Sequence, residues 1–276
     1  MATWLITGCS TGLGRALAAA VLERGDNAIV TARDVSTVED LVAAHPLNAH
    51  AVALDVTDAA QISAAVEAGT EKFGGIDVLV NNAGYGYRAA VEEGDDADVR
   101  ALFDTHFFGS VAMIKAVLPQ MRTRRSGTIV NISSIGARLN PAGSGYYSAV
   151  KSAIEGLTGS LRKELEPLGI TTMVVEPGGF RTDFAGRSLT QSESSIPDYA
   201  ETAGKRRKEN DATHGTQPGD PAKAAAAIIT AVESADTPEM LVLGADAVAG
   251  YRRALEAQLA SLDTWRALGE STSFDA

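Results

Sequence analysis

Two rhythms of apolar and polar positions alternate along this chain. Short apolar runs, TWLIT, NAIVTA, AVALDV, IDVLVN, GTIVNIS and TTMVVEP, are separated by longer amphipathic stretches. The short runs predict strands buried on both faces, and the longer stretches predict helices over 13–24, 59–73, 98–121, 144–168 and 221–233. Regular alternation of this kind implies an α/β fold, a doubly wound parallel sheet covered by helices on both faces. EMLVLG supplies a further strand, which makes about seven. The rhythm breaks once, over 184–218, where the chain turns polar and rich in Ser, Thr, Glu and Gly. Long segments of that kind inside a compact domain commonly cover or bind ligands, so 184–218 is the expected substrate lid. A final amphipathic helix is expected over 247–262, with the rest of 247–276 as a tail.

At the first strand-to-helix junction the sequence reads LITGCSTGLGRALAAAVLERG. A strand runs into Gly8, Gly12 and Gly14, and a helix follows at once. Backbone N–H groups at a helix N-terminus attract a pyrophosphate, and glycines let it come close. Gly8, Ser10, Thr11, Gly12, Leu13 and Gly14 are therefore candidate dinucleotide-binding residues of a Rossmann-type domain. The spacing Gly-x-x-x-Gly-x-Gly departs from the commoner Gly-x-Gly-x-x-Gly, so an ordinary tight connection remains the plain alternative. Cys9, in the same turn, reads as a small residue, since no second cysteine exists to resolve a redox reaction. The second strand ends TARD, placing Arg33 where such folds normally set the acid that holds the ribose 2′-hydroxyl. A guanidinium binds a 2′-phosphate, which favours NADP(H), with NAD(H) open if Asp34 turns back to the ribose.

The segment GYYSAVK carries the candidate chemistry. A helix places positions i and i+4 on one face, so the Lys151 ammonium is expected beside the Tyr147 phenol, favouring its ionised form. Free tyrosine titrates near about pH 10, and one drawn toward neutrality exchanges a proton with a carbonyl or alcohol oxygen. Hydride transfer needs a cofactor, which the glycine turn would hold. Tyr146 has Val150 four residues on and is expected to pack or to line a cavity. Tyr85, Tyr87, Leu139, Phe180 and Phe184 are further candidates for the pocket wall. Alternation along IVNISS points Ser133 and Ser134 to opposite sides of their strand.

With DVT at Asp55, NNAG at Asn81 to Gly84, Ser134, the Tyr147/Lys151 pair and PGGFRT at Pro177 to Thr182, the chain resembles the short-chain dehydrogenase/reductase family over nearly its whole length. Its wording is most like the branch that includes 17-beta-hydroxysteroid and retinol dehydrogenases. The resemblance implies that Asp55 and Val56 contact the adenine and that Asn82, with Ala83 and Gly84, lies by the adenosine ribose. It also implies that Pro177, Gly178 and Thr182 border the nicotinamide, with Thr182 on its carboxamide. The family's serine-to-tyrosine separation selects Ser134 as the residue that binds the substrate oxygen. Lys151 would also bind the nicotinamide ribose. Where the family usually has a helical asparagine that supports a proton relay, this chain has His106, which can also donate or accept. The implied activity is NADP(H)-dependent transfer of hydride between nicotinamide and the carbonyl or secondary alcohol of a moderately apolar substrate. A non-catalytic NADP sensor would not need Ser134, Tyr147 and Lys151 in register, and an epimerase or dehydratase on this fold usually carries a longer C-terminal substrate domain. The helices near 98–121 and 144–168 suggest a homodimer or homotetramer.

Composition narrows partners more than chemistry. A net charge of −11 over 276 residues argues against nucleic acid or a membrane surface as partner. The basic run at Lys205 to Lys208 reads as a solvated face. One cysteine and four scattered histidines leave no disulfide and no ligand set at metal spacing. A start that enters a strand directly gives the expectation of a single cytoplasmic domain over 1–276.

Overall fold

The computed structural model describes residues 1–213 and 215–274, without the side chains of 185 and 210–213. The strands are β1 (Thr3–Ile6), β2 (Asn27–Ala32), β3 (Ala49–Ala53), β4 (Val78–Asn81), β5 (Gly86–Arg88), β6 (Gly127–Ile132), β7 (Ile170–Pro177), β8 (Leu189–Gln191) and β9 (Met240–Leu243). Seven of them form a fully parallel sheet in the order β3-β2-β1-β4-β6-β7-β9. The chain winds outward from β1 to β3, then returns to lay β4 on the other side of β1. This reversal opens a crevice at the C-terminal ends of β1 and β4, where such sheets take ligands.

The helices are α1 (Gly12–Glu23), α2 (Glu39–Ala44), α3 (Ala59–Phe73), α4 (Asp96–Phe103), α5 (Gly109–Arg124), α6 (Gly136–Leu139), α7 (Gly145–Leu165), α8 (Lys205–Thr213), α9 (Pro221–Glu233) and α10 (Ala245–Glu270). Side chains from α1, α2 and α9 build one core layer with Ile6, Val30, Val80 and Val175. Those from α3, α5 and α7 build the other with Leu5, Ile29, Leu79 and Ile129. Neighbouring strand residues thus face opposite layers, and each large aliphatic side chain so buried contributes about 1.5–3 kcal/mol. Local signals set the ends. Asp58 accepts hydrogen bonds from Ala60 N and Gln61 N to start α3, and Gly74, at φ 82°, stops it. Asp220 caps α9, with Pro221 at its first turn.

Several expectations need correction. The helix expected over 98–121 runs from Asp96 to Arg124 and is interrupted by a π-helical segment, Asp104–Phe108. The short α2 and the parallel ladder between β5 and β8 follow no apolar run, because pairing across a hundred residues leaves little local trace. The polar stretch expected as a lid contains, among its described residues, β8, a 3-10 turn at Pro197–Tyr199, a π segment at Ala200–Gly204, and α8. The last helix reaches Glu270, well past the expected end, with Leu255, Leu259, Leu262, Trp265 and Leu268 exposed along it. The final two residues of the expected tail lie outside the described residues.

Candidate active site

At the crevice, backbone and small side chains do most of the shaping. Thr7 Oγ1 donates to Val80 O (3.2 Å) and accepts from Asn82 N and Ala83 N (both 2.9 Å). Asn82 Nδ2 donates to Thr7 O (2.8 Å) and Gly8 O (3.1 Å), tying the ends of β1 and β4 together. Gly8 has φ 73°, and a Cβ there would lie 2.9 Å from Ala83 Cα. A Cβ on Gly14 would meet Asn82 Nδ2 at 2.3 Å and Gly8 O at 2.4 Å, so only glycine lets α1 start this close. Thr11 precedes α1 in extended conformation and its side chain makes no capping bond. The first N–H groups of α1 are thus left for an anion, and the cradle fits the pyrophosphate of a dinucleotide. Cys9 is packed inside, with its thiol donating to Ile6 O at 3.2 Å and burial pushing its pKa up to about 12.

At the tip of β2, Asp34 is already engaged. Its carboxylate accepts from Ser36 N (3.0 Å) and Ser36 Oγ (2.7 Å), capping the 3-10 turn Val35–Val38, while Arg33 is exposed. Asp55 Oδ1 accepts from Thr57 N (2.9 Å) and Thr57 Oγ1 (2.7 Å). Val56 is buried against Gly109, where a Cβ would come within 2.8 Å of Val56 Cγ2.

Next to this cradle, β6 delivers the two serines to opposite sides. Ser133 is buried, and its hydroxyl donates to Glu155. Ser134 Oγ accepts from Gly136 N at 3.0 Å and shares a hydrogen bond with the Tyr147 side chain. Lys151 donates from Nζ to Ile132 O at 2.7 Å, with Nζ 5.7 Å from the centre of the Tyr147 ring. Burial shifts both groups toward their neutral forms. Burial raises the Tyr147 pKa to about 12, opposed by Ser134 and by the nearby Arg88 guanidinium. Burial also lowers Lys151 to about 7, opposed by Glu155. Burial is the largest cause for both groups, and the Lys151 ammonium spends a hydrogen bond on the Ile132 carbonyl.

His106 sits in the π segment, buried, with its ring 5.9 Å from that of Tyr147 and perpendicular to it. Its Nε2 is 3.0 Å from Tyr85 N and 2.8 Å from Tyr85 O, and its Nδ1 has no partner. Burial first, then the Lys151 charge, holds its pKa well below the usual imidazole value. Gly84 makes room for it, since a Cβ there would lie 2.3 Å from His106 Cε1. A wider helical turn frees a carbonyl, and Ser110 Oγ donates to His106 O at 2.8 Å.

Behind Lys151 lies a charged group that sequence reasoning missed. Arg138 bridges Glu155 (2.7 Å) and the fully buried Glu176 (3.0 Å). Burial and the Glu155 charge raise Glu176 to about 7. Its only trace in sequence is a glutamate inside the apolar run TTMVVEP. Asp246, at the start of α10, was also missed. Its Oδ2 accepts from Gly179 N at 2.8 Å, and a Cβ on Gly178 would strike Oδ1 at 2.5 Å, so α10 braces the loop that follows Pro177. Thr182 lies across from Gly12, 3.5 Å from where a Cβ would stand, and caps the short turn at Asp183–Ala185.

The segment that follows Thr182 returns to the phenol at Phe184. Phe184 places its ring 5.7 Å from that of Tyr147. Tyr87 and Tyr146 pack together 6.2 Å apart, and the Tyr146 hydroxyl donates to Val91 O at 2.6 Å. Leu139 is exposed and rests near Gly250. Phe180 packs against Gly219. The run 205–208 is not uniformly solvated: Lys205 and Lys208 are exposed, whereas Arg207 forms a 2.7 Å pair with the buried Glu93. Glu93 also accepts from Ala90 N (3.0 Å) and Ile196 N (2.8 Å), and Arg207 donates to Ser194 O (3.2 Å). The cluster fastens α8 and the 192–196 loop to the segment after β5.

Glycine cradle, Ser134, Tyr147, Lys151 and Thr182 therefore meet at one sheet edge, in the order along the chain that a single family of enzymes displays. A family model described as short chain dehydrogenase matches residues 2–193. The chain belongs to the short-chain dehydrogenase/reductase family. Oxidoreductase BOA17 of Botryotinia fuckeliana is 40% identical over 266 residues, covering 96% of this chain and 97% of the relative. A crystal structure of a short-chain dehydrogenase from Streptomyces avermitilis has a TM-score of 0.92 at 44% identity, covering 99% and 100% of the two chains. A family member from Burkholderia phymatum in complex with NAD shares the fold, with a TM-score of 0.80 at 22% identity over 93% and 95%. This short-chain dehydrogenase is thus an oxidoreductase with the fold that its sequence patterning predicts.

Proposed function

We propose that this enzyme transfers hydride between a nicotinamide dinucleotide, NADP(H) by preference, and the carbonyl or secondary alcohol carbon of a small substrate, with Tyr147 as the acid/base. The observation that carries this reading is the hydrogen bond between Tyr147 and Ser134 beside a glycine cradle shaped for a pyrophosphate. Residues 8–14 would hold the pyrophosphate, Asp55 and Val56 the adenine, Asn82 to Gly84 the ribose, and Pro177, Gly178 and Thr182 the nicotinamide end. The bound nicotinamide supplies or accepts the hydride. Ser134 binds the substrate oxygen and steadies charge that grows on it. Tyr147 gives that oxygen a proton in reduction and takes one in oxidation. With its pKa raised to about 12, the phenol is suited to the acid role as it stands. An ammonium on Lys151, brought round to the nicotinamide ribose, favours the phenolate that oxidation needs. His106, with one ring nitrogen unpartnered and facing the phenol edge-on, is placed to support a water-mediated relay. Support for NADP(H) comes from Asp34, whose carboxylate is spent on Ser36, and from the exposed Arg33 beside it.

The test is cofactor oxidation over a panel of ketones and aldehydes. Tyr147→Phe is expected to lower kcat by about 10²–10⁴-fold while NADPH binding, followed by fluorescence, persists. Turnover near that of the wild type would refute the acid/base assignment. Michaelis constants for NADPH and NADH address the cofactor separately, and a lower value for NADH would refute the preference.

A further inference from the structure

Hydride exchange with a neutral ketone does not need Arg88. This residue ends β5 and is buried, at 8% exposure, with its guanidinium carbon 5.9 Å from the centre of the Tyr147 ring. Nη1 donates to Tyr87 O at 3.3 Å, and Nε has no hydrogen-bond partner. Among the described residues no carboxylate pairs with it. The other arginines that reach into this half of the molecule follow the usual rule: Arg207 pairs with Glu93, and Arg138 with Glu155 and Glu176. Unpaired buried charge is disfavoured by several kcal/mol, so an arginine kept this way points to a counter-charge from outside the chain.

A second guanidinium adds to the first. Burial first, then repulsion by Arg206 from α8 of the lid, holds Arg88 below the ordinary arginine pKa. Arg206 Nε is likewise buried without a partner, and the ion pair of Arg206 with Glu209 is long, at 3.8 Å. One positive group, on a strand, therefore lies near the catalytic phenol, and a second, on a lid helix, acts on the first, in a protein of net charge −11.

We infer that Arg88, seconded by Arg206, binds an anionic group of the substrate, a carboxylate or phosphate standing a few bonds from the carbon that exchanges hydride. This rests on the oxidoreductase reading of Tyr147 and narrows it from a moderately apolar ketone to a keto or hydroxy acid, with Phe184 as the apolar wall beside it. Both oxyanions match the planar fork of a guanidinium, and either would relieve the repulsion between the two arginines.

Binding and turnover separate the two readings. Calorimetry on the Tyr147→Phe protein saturated with oxidised cofactor would compare aryl keto acids of α, β and γ spacing with their methyl esters, and hydroxyketone phosphates with the free hydroxyketones. At least one anion is expected to bind about 10–100-fold more tightly than its neutral match, the worth of one or two charge-assisted hydrogen bonds. Which member of the set wins identifies carboxylate or phosphate. Arg88→Gln is expected to bring that ratio near one, Arg88→Lys to retain part of it, and Arg206→Gln to reduce it less than Arg88→Gln does. Equal binding of anion and neutral match at every spacing in the parent protein overturns the inference, whether or not the Arg88 variants fold. So does an Arg88→Gln protein that weakens both alike. Retained turnover in Tyr147→Phe would instead sink the acid/base reading and leave the binding ratio standing.

Discussion

Tyr147 is walled by two regions built on opposite plans. On the side of β1 and β4, glycines and backbone groups shape the cradle, and hydrogen bonds there run between positions close to strand ends, as with Thr7, Gly8 and Asn82. On the side of β5 and α8, charged side chains do the shaping: Arg88, Glu93, Arg206 and Arg207, joined across more than a hundred residues of chain. A backbone-made site tolerates almost no change, because any added atom meets main chain. A site made by side chains is open to revision, which suits the part of an enzyme that meets its particular substrate.

The contrast is broken most severely from the first side. Gly14→Ala sets a methyl within 2.4 Å of Gly8 O, so it is expected to lower NADPH affinity by about 100-fold or more and stability by about 1–3 kcal/mol. Cofactor titration with a denaturant series would check both, and an unchanged dissociation constant would mean the cradle is looser than it stands here. Glu93→Ala tests the second side. It strips Arg207 of its partner and leaves two backbone N–H groups unmet, for an expected loss of about 2–3 kcal/mol that falls on the lid. Faster proteolysis within 192–213 and a raised substrate KM, with NADPH affinity retained, are the expected signs. Equal loss of both affinities would show that the two regions are not separable.

An effect read through pH alone lies between the regions, at Lys151. Its ordinary pKa of 10.5 falls to about 7 in the fold, so between those values the unfolded chain holds a proton that the folded one lacks. Stability must then rise with pH across that window, by up to about 1.4 kcal/mol per pH unit, with the full penalty present below about pH 7. The stability of the ligand-free wild type minus that of Lys151→Met should therefore increase from pH 7.5 to 9.5. A flat difference would show that the lysine keeps its proton throughout.

These plans also decide what sequence could disclose. The glycine turn, the two-sided strand that separates Ser133 from Ser134, and the i, i+4 spacing of Tyr147 and Lys151 are local patterns, and each was readable. Asp34 and Asp55 offered alternatives to sequence, and in the fold their carboxylates accept from Ser36 and Thr57, partners that sequence did not name. Arg88, Glu93, Arg138 and Asp246 were illegible because their meaning lies in partners remote along the chain. The phenol's raised pKa was unreadable for another reason: spacing shows which groups are near, while burial decides which effect wins.

The C-terminal helix divides the molecule at a definable place. Its first residues hold the loop after Pro177 through Asp246, and Tyr251 still lies under the Arg138 guanidinium, 5.5 Å from its carbon. From Arg252 onward it is almost wholly bathed in solvent. A chain shortened after Arg253 would keep its catalytic half braced, yet lose an arm of leucines and a tryptophan whose shape answers to no need of chemistry.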